Sequence, residues 1–218
     1  AYVCDPDLAV AGKALDALPA RHKRRPKVVQ DLRDVFSDKG VDAVVVATPD
    51  HWHALATVWA CQAGKHVYVE KPISHNVIEG RRMVEAARKY KRIVQVGTQR
   101  RSIPGIQEAM AKLHDGVIGR AYFAQGWYTN DRPSIGPGKE APPPAGLDYD
   151  LRHGPVPRRP FHKNRFHYNW HWFWAWGNGE LGNNGVHYID MMRWGLGVDL
   201  PTAVGVAGGR YRFKDDQQ

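Results

Sequence analysis

The chain has 218 residues, of which 43% are hydrophobic and 24% charged, a mixture that is typical of a globular protein and excludes disorder throughout the chain. Its formal net charge of +9 would suit a partner rich in phosphate groups, such as a nucleic acid. The cations are concentrated at 20–27 and 88–92. Predicted helices end there, and the helix dipole favours positive charge at such ends. We therefore expect solvated helix ends and no nucleic acid partner, and the alternative is a phosphate-binding patch.

Short apolar runs alternate with helical patterns through the first half of the chain. Strand-like runs lie at 1–5, 27–29, 41–50, 65–72 and 92–100, and helical patterns lie at 8–18, 31–40, 53–64 and 76–90. Because a strand covered on both faces is apolar throughout, this alternation predicts parallel βαβ units. The sequence therefore predicts an α/β fold with a doubly wound parallel sheet.

Polar residues follow the predicted strands, at the edge where a sheet of this kind binds ligands. These strand ends read Asp5, "ATPDHWH" at 47–53, "EKP" at 70–72 and "GTQRR" at 97–101. Asp5 fits the acid that bonds the ribose 2′-OH of NAD and repels the 2′-phosphate of NADP, so we expect NAD rather than NADP. The GxGxxG turn that should precede this acid is not in the chain, and we expect a Rossmann sheet that lacks its first βα unit.

The second half of the chain has a different pattern. The segment 120–129 alternates like a strand, a loop rich in proline and glycine follows at 132–146, and 201–213 predicts another strand. We place a domain boundary near Gly119 and expect an incomplete sheet, because the chain stops shortly after its last predicted strand.

Two segments resemble the signature motifs of the Gfo/Idh/MocA oxidoreductases. The first, at 41–74, contains a TP pair followed by a histidine, the turn "AGKHV" and the tripeptide "EKP". The second, at 177–197, is a Gly-rich turn that leads into a helix with His187 and then Asp190. The resemblance runs from Ala1 to about Phe213.

This resemblance implies two domains. Residues 1–118 would form the partial dinucleotide-binding domain, and 119–218 would form part of an α/β domain with an open, mostly antiparallel sheet. In the family that second sheet carries the substrate and often mediates oligomerisation, so a homo-oligomer is implied.

Lys71 is the first candidate catalytic residue. It ends a predicted strand and precedes a proline, which pushes its backbone into an extended conformation. Its side chain would then project over the carboxyl edge of the sheet, where it could bind or deprotonate a substrate hydroxyl. The alternative is a surface lysine at a strand end.

Asn183, His187 and Asp190 share one face of the predicted second-motif helix. The family commonly carries an acid at the position of Asn183 and a histidine at that of His187, and these contact sugar hydroxyls and relay the proton. An amide cannot take a proton, which leaves His187 as the base, with Asp190 orienting its other ring nitrogen. The alternative is a core histidine capped by a carbonyl.

The remaining site predictions concern the cofactor and the substrate. The predicted cofactor-binding residues are Asp5, Thr48, Pro49, His53, Glu70, Lys71, Gln99 and Arg101. The tryptophan-rich run at 165–176 is compatible with a metal cage, a base-stacking surface, plain core or a wall that stacks on sugar rings. We favour the sugar wall, whose predicted members are Arg165, His167, Asn169, Trp170, His171 and Trp172.

Several kinds of site are not indicated. Cys4 and Cys61 lie in apolar segments without CxxC spacing, and the histidines of the tryptophan-rich run have no cysteine or acid beside them, so we expect no metal. No apolar run approaches the length of a membrane span, and we expect no membrane partner. The expected location is cytoplasmic, or periplasmic if an export signal precedes Ala1.

The resemblance implies an NAD-dependent oxidoreductase that transfers a hydride between a hydroxyl of a sugar, cyclitol or glycoside and nicotinamide. An NAD-dependent glycosidase on the same scaffold is one alternative, and it would oxidise its substrate transiently and recycle the cofactor. A truncated, non-catalytic binding protein is the other, and the missing glycine turn favours it.

Overall fold

The computed structural model describes residues 1–19 and 24–218. Its strands are β1 (Tyr2–Cys4), β2 (Lys27–Val29), β3 (Ala43–Val46), β4 (His66–Val69) and β5 (Val94–Val96). Its α-helices are α1 (Leu8–Asp16), α2 (Leu32–Ser37), α3 (Asp50–Gln62), α4 (Val77–Lys89), α5 (Pro104–His114), α6 (Tyr149–His153) and α7 (Val186–Leu196). Part of the basic run at 20–27 lies outside the described residues.

The strands form two parallel sheets, as the alternation of apolar runs and helices predicts. β1 pairs with β2, and β3, β4 and β5 pair in that order. Among the described residues β1 and β3 are not hydrogen-bonded to each other, and a cavity of about 460 Å³ lies between them. Apolar side chains of β1 and β3 face each other across the cavity. The carboxyl ends of the two strands lie at its polar end.

The core lies where the three-stranded sheet meets α3 and α4. Val67 and Val69 of β4 are buried against the alanines of α3 and against Met83 and Ala86 of α4. Small residues on α3 allow the helices and the sheet to approach closely, because packing density depends on side-chain volume. This core holds the carboxyl ends of β3 and β4 side by side.

The predicted strands at 120–129 and 201–213 are wrong for this structure, in which both segments are irregular. Tyr122, Phe123 and Trp127 of the first segment are exposed. A strand requires a partner for its backbone N–H and C=O groups, and neither segment meets one in the described part of the chain.

In the two described ranges, no helix is long and apolar enough to cross a membrane.

Candidate active site

Lys71 and Asn183 meet at the carboxyl end of β4. Lys71 Nζ donates to the backbone oxygen of Asn183 at 2.6 Å and to its side-chain oxygen Oδ1 at 3.1 Å. Asn183 lies in a π-helical turn, Leu181–Gly185, that runs directly into α7. Such turns interrupt the regular hydrogen-bond ladder of a helix and recur at functional sites. The structure therefore brings these two predicted catalytic residues together.

The orientation of the Asn183 amide follows from its neighbours. Its nitrogen Nδ2 donates to the hydroxyl of Tyr168 at 3.1 Å and to Glu180 Oε1 at 3.3 Å. An ionised carboxylate only accepts hydrogen bonds, so the NH₂ group must face Glu180 and the oxygen must face Lys71. Glu180 precedes Asn183 by three residues and could have been found from that helical spacing, whereas Tyr168 lies on an irregular segment whose position no periodicity predicts.

Arg132 holds Glu180 in place. Its guanidinium donates through Nε to Glu180 Oε2 at 3.1 Å, and both side chains are about one-third exposed. The same guanidinium lies over the rings of Tyr128, Tyr168 and Trp172, with centroid distances of 5.9, 5.4 and 5.4 Å. Arg132 comes from the predicted loop at 132–146, so this loop is tied to the site by one ion pair and three aromatic rings.

His187 is buried near the two positive side chains Lys71 and Arg100. It is 8% exposed, and burial lowers its pKa below the ordinary 6.5, with the charges of Lys71 and Arg100 lowering the pKa further. The ring is therefore neutral at neutral pH and has the form required to accept a proton.

Asp190 makes no hydrogen bond to His187 in the described part of the chain, so the prediction that Asp190 orients the His187 ring is wrong. Asp190 instead accepts hydrogen bonds from Arg101: Nε donates to Oδ2 at 2.8 Å and to Oδ1 at 3.0 Å, and Nη2 donates to Oδ1 at 2.8 Å. Arg101 also lies over the ring of Trp194 at 5.0 Å. This ion pair joins the turn after β5 to α7. Its geometry is bidentate, in which the guanidinium matches the shape of the carboxylate. Gln99, which begins the same turn, is exposed.

His53 joins the two loops of the first motif. Its ring nitrogen Nδ1 lies 2.6 Å from the carbonyl oxygen of Pro72, and Nε2 lies 2.8 Å from that of Thr48. The residue is 1% exposed, and burial lowers its pKa. His53 thus positions the TP and EKP loops relative to each other, whereas the sequence predicted direct contact with the cofactor.

The cavity between β1 and β3 has a polar end. Asp5, Thr48 and Pro49, three of the predicted cofactor-binding residues, line it. Arg152 of α6 and His167 line the same end, and His167 Nε2 lies 3.1 Å from Asp7 Oδ2. Nothing in the sequence indicated Arg152, which comes from the other half of the chain. Glu70, Lys71, Gln99, Arg101, Asn183 and His187 do not line this cavity.

The tryptophan-rich run does not form a strand, and its aromatic side chains divide between core and surface. Trp172, Phe173 and Trp176 form a buried cluster, which favours the plain-core alternative for these residues, and Trp174 is exposed. The substrate contact of Trp172 stays a prediction. Part of the run forms a 3₁₀ turn, Asn169–Trp172. Because such a turn has three residues per turn, every second side chain no longer points to the same side, as it would in a strand.

The polar members of the run are mostly engaged with their own segment. Arg165 lies over the rings of Phe173 and Trp176, and Asn169 donates to the backbone oxygen of Asn164 at 2.7 Å. His171 stacks on Trp170 with centroids 3.6 Å apart. Burial lowers the pKa of His171, and the charges of Lys71 and Arg132 lower it further. A role in substrate binding stays a prediction for these residues. Within the described part of the chain, no group of three acidic, histidine or cysteine side chains could hold a metal ion.

Both halves of the chain match models of one protein family. Residues 1–98 match "Oxidoreductase family, NAD-binding Rossmann fold" and residues 136–212 match "Oxidoreductase family, C-terminal alpha/beta domain". These matches confirm the predicted fold class, a Rossmann-type parallel sheet followed by an α/β domain, although in this structure the second domain lacks regular strands.

Curated relatives and a solved structure agree with this match. A levoglucosan dehydrogenase of Pseudarthrobacter phenanthrenivorans is 31% identical over 124 residues, covering 57% of this chain and 32% of that protein. An inositol 2-dehydrogenase of Salmonella paratyphi B is 33% identical over 129 residues, covering 59% and 37%. The crystal structure of an oxidoreductase domain protein from Kribbella flavida has a TM-score of 0.59 at 26% identity, covering 90% of this chain and 44% of that one.

The chain spans about a third of the length of these two curated relatives. The two family models nevertheless cover most of the chain, in the expected order, and each contains one of the two sequence motifs. The chain therefore belongs to the Gfo/Idh/MocA family of oxidoreductases.

Proposed function

We propose that the protein carrying this chain is an NAD-dependent oxidoreductase that oxidises a CH–OH group of a sugar or cyclitol. The observation that carries the proposal is the Lys71 ammonium, held by Asn183 at the carboxyl end of β4 and close to the neutral ring of His187. The relatives named as levoglucosan and inositol dehydrogenases support the substrate class.

The residues at the polar end of the cavity fit the adenosine ribose of NAD. Asp5 offers a carboxylate at the end of β1, and burial raises its pKa. Thr48 Oγ1 is buried and has no hydrogen-bond partner in the described part of the chain, so it is free to bind a ligand oxygen. When bound, NAD⁺ supplies the acceptor for the hydride that leaves the substrate carbon.

The proton is handled by the chain itself. The neutral ring of His187 accepts the hydroxyl proton, and the ammonium of Lys71 stabilises the negative charge that develops on the substrate oxygen. Asn183 holds that ammonium in place, and Glu180 with Tyr168 holds the amide of Asn183. Because these groups are fixed before substrate binds, little reorganisation is required during the reaction.

The test is an assay of the protein with NAD⁺ and a panel that contains myo-inositol, levoglucosan and glucose, following the absorbance of NADH. We expect NADH to accumulate with at least one member and to do so at least about 100-fold more slowly in Lys71→Met. Lys89→Met, at the exposed end of α4, is the matched control and should keep the activity. The absence of NADH with every cyclitol and sugar would contradict the proposal, and cleavage of a glycoside without NADH would favour the glycosidase.

Assembly and location stay predictions. We expect a homo-oligomer formed through the second half of the chain, where large apolar side chains such as Tyr122, Trp127 and Val206 are exposed. The cytoplasmic location expected from the sequence is likewise a prediction.

A further inference from the structure

Arg132 reaches the candidate active site from an irregular segment. In the structure as described, residues 131–138 form neither helix nor strand, so no ladder of backbone hydrogen bonds fixes their position. The Arg132 guanidinium must nevertheless stay beside Glu180 if that carboxylate is to hold the Asn183 amide. The backbone groups of such a segment take their hydrogen-bond partners from side chains or water. Here these side chains come from residues 212–216.

Asp215 binds the segment two and three residues after Arg132. Its oxygen Oδ2 accepts from the hydroxyl of Ser134 at 2.8 Å and from the backbone nitrogen of Ile135 at 3.1 Å. Its other oxygen, Oδ1, accepts from Arg210 Nη2 at 2.8 Å. The side chain of Asp215 is 1% exposed. Removing this buried carboxylate would therefore leave several donors without an acceptor, which is costly away from water.

The segment is also bound at its two ends. Asp131 accepts from Arg212 in an ion pair whose side chains are 69% and 64% exposed. Asp216 Oδ2 accepts from the backbone nitrogen of Gly138 at 2.7 Å. An exposed ion pair contributes little because water screens it. The buried carboxylate of Asp215 therefore restrains the segment more strongly than the exposed pair does.

We propose that Asp215 is a positioning residue that holds Arg132 against Glu180 in the candidate active site. The inference rests on the proposed function for the roles of Lys71 and Asn183. Without Asp215, the Arg132 guanidinium would leave Glu180 more often. The Asn183 amide would then lose a fixed acceptor, and the Lys71 ammonium would be held less firmly.

The first test follows Arg132 directly by NMR of the full chain, without any substrate. The signal is that of the Arg132 Nε–H group that donates to Glu180, and it is assigned by its loss in Arg132→Lys. We expect Asp215→Ala to raise the rate at which this proton exchanges with water at least about tenfold, because the donor leaves its acceptor more often. The Nε–H of Arg101, which also donates to a carboxylate, is the internal reference and should keep its rate. Asp199→Ala, at an exposed position, is the matched control and should change neither signal.

The second test is a double-mutant cycle on kcat/KM that combines Asp215→Ala with Arg132→Gln. If Asp215 acts through Arg132, Asp215→Ala should lower kcat/KM about tenfold in the unmodified chain and less than about twofold in Arg132→Gln. A merely structural role would lower kcat/KM by the same factor in both backgrounds. Asp199→Ala should leave kcat/KM unchanged in each.

Three outcomes would overturn the proposal. They are an unchanged exchange rate at Arg132 in Asp215→Ala, an equal rise at Arg132 and Arg101, and equal losses of kcat/KM in the two backgrounds. If Asp215→Ala does not fold, Ser134→Ala decides, because it removes one of the two donors to Oδ2. An unchanged exchange rate at Arg132 in Ser134→Ala would then overturn the proposal.

The exchange measurement is independent of the proposed function, because it requires no turnover. A chain that forms no NADH with any sugar or cyclitol would contradict the proposed function and leave the exchange result at Arg132 valid. Faster exchange at Arg101 alone would likewise count against Asp215 as the positioning residue, whatever the activity.

Discussion

His187 is the residue whose environment makes the clearest prediction about catalysis. His187→Ala should lower turnover by about 100-fold or more, the usual contribution of a general base. Burial and the charges of Lys71 and Arg100 depress the pKa of His187, so turnover should rise with pH through an apparent pKa below 6.5 and this limb should vanish in the variant. The profile of turnover against pH is the measurement. His114→Ala, on the exposed side of α5, should leave it unchanged, and a limb that persists in His187→Ala would assign the base elsewhere.

The hydrogen bond from Asn183 to Glu180 leads to a second prediction at the scale of single residues. Asn183→Asp should lower activity, because it places a second carboxyl group next to Glu180, whose Oε1 lies 3.3 Å from Asn183 Nδ2. One of the two carboxyl groups would then hold a proton and the contact with Lys71 would change. Adding Glu180→Gln should restore most of the loss.

This pair is tested by a double-mutant cycle on kcat/KM. Glu79→Gln, an acid in the first turn of α4, serves as the control partner for Glu180→Gln. A double variant that is no more active than Asn183→Asp alone would show that Glu180 does not act through Asn183.

At the scale of elements, the end of α6 determines how closely the second half of the chain approaches α3. Gly154 ends this helix at φ 57° and ψ −124°, and a Cβ there would lie 2.3 Å from the indole of Trp52. Gly154→Ala should therefore lower the free energy of unfolding by about 2 kcal/mol or more, through backbone strain and steric overlap. Urea denaturation measures this change.

Gly12 provides the matched control for that substitution. It lies inside α1, and a Cβ at this position would meet no atom within 4 Å. Gly12→Ala should raise the free energy of unfolding by about 0.4 to 1 kcal/mol, because alanine loses less backbone entropy in a helix. A Gly154→Ala variant as stable as Gly12→Ala would show that α6 does not pack on Trp52 as described.

At the scale of the whole molecule, two neighbouring buried groups at the start of α3 make stability depend on pH with opposite signs. Burial raises the pKa of Asp50 from 3.8 to about 7, so the folded state binds more protons than the unfolded state between these values and stability falls as pH rises through them. Burial lowers the pKa of His51 from 6.5 to about 3, so the unfolded state binds more protons and stability falls as pH drops from 6.5.

Asp50→Asn separates these two effects. The variant should gain stability relative to the unmodified chain as pH rises from about 5 to about 7, by on the order of 1 kcal/mol per pH unit. The free energy of unfolding at several pH values is the measurement, and Asp115→Asn, at the exposed end of α5, should show no such trend. A stability difference that is independent of pH would mean that Asp50 is ionised in both states.

The sequence by itself determined the parallel α/β architecture and the positions of the two motifs. Periodicity and composition are local properties, and each strand in the first half has enough neighbouring strands and helices to form as predicted. Lys71 and His187 were separate candidates for the substrate hydroxyl, and in the structure the charge of Lys71 contributes to the lowered pKa of His187. Reasoning from periodicity failed at 120–129, where alternation was present but no pairing strand was.

Only the tertiary structure decided which side chains complete the site. Lys71 meets Asn183 across 112 positions of the chain, and Arg132 meets Glu180 across 48. Asp148, just before α6, bonds to Pro6, just after β1, and Leu151 of α6 bonds to Trp52 of α3. No local sequence pattern encodes such pairs. They depend on how whole helices and strands pack, because packing decides which hydrogen-bond donors and acceptors come within reach of each other. For the same reason Tyr168, which lies on an irregular segment, was identified only when its hydroxyl was found 3.1 Å from Asn183 Nδ2.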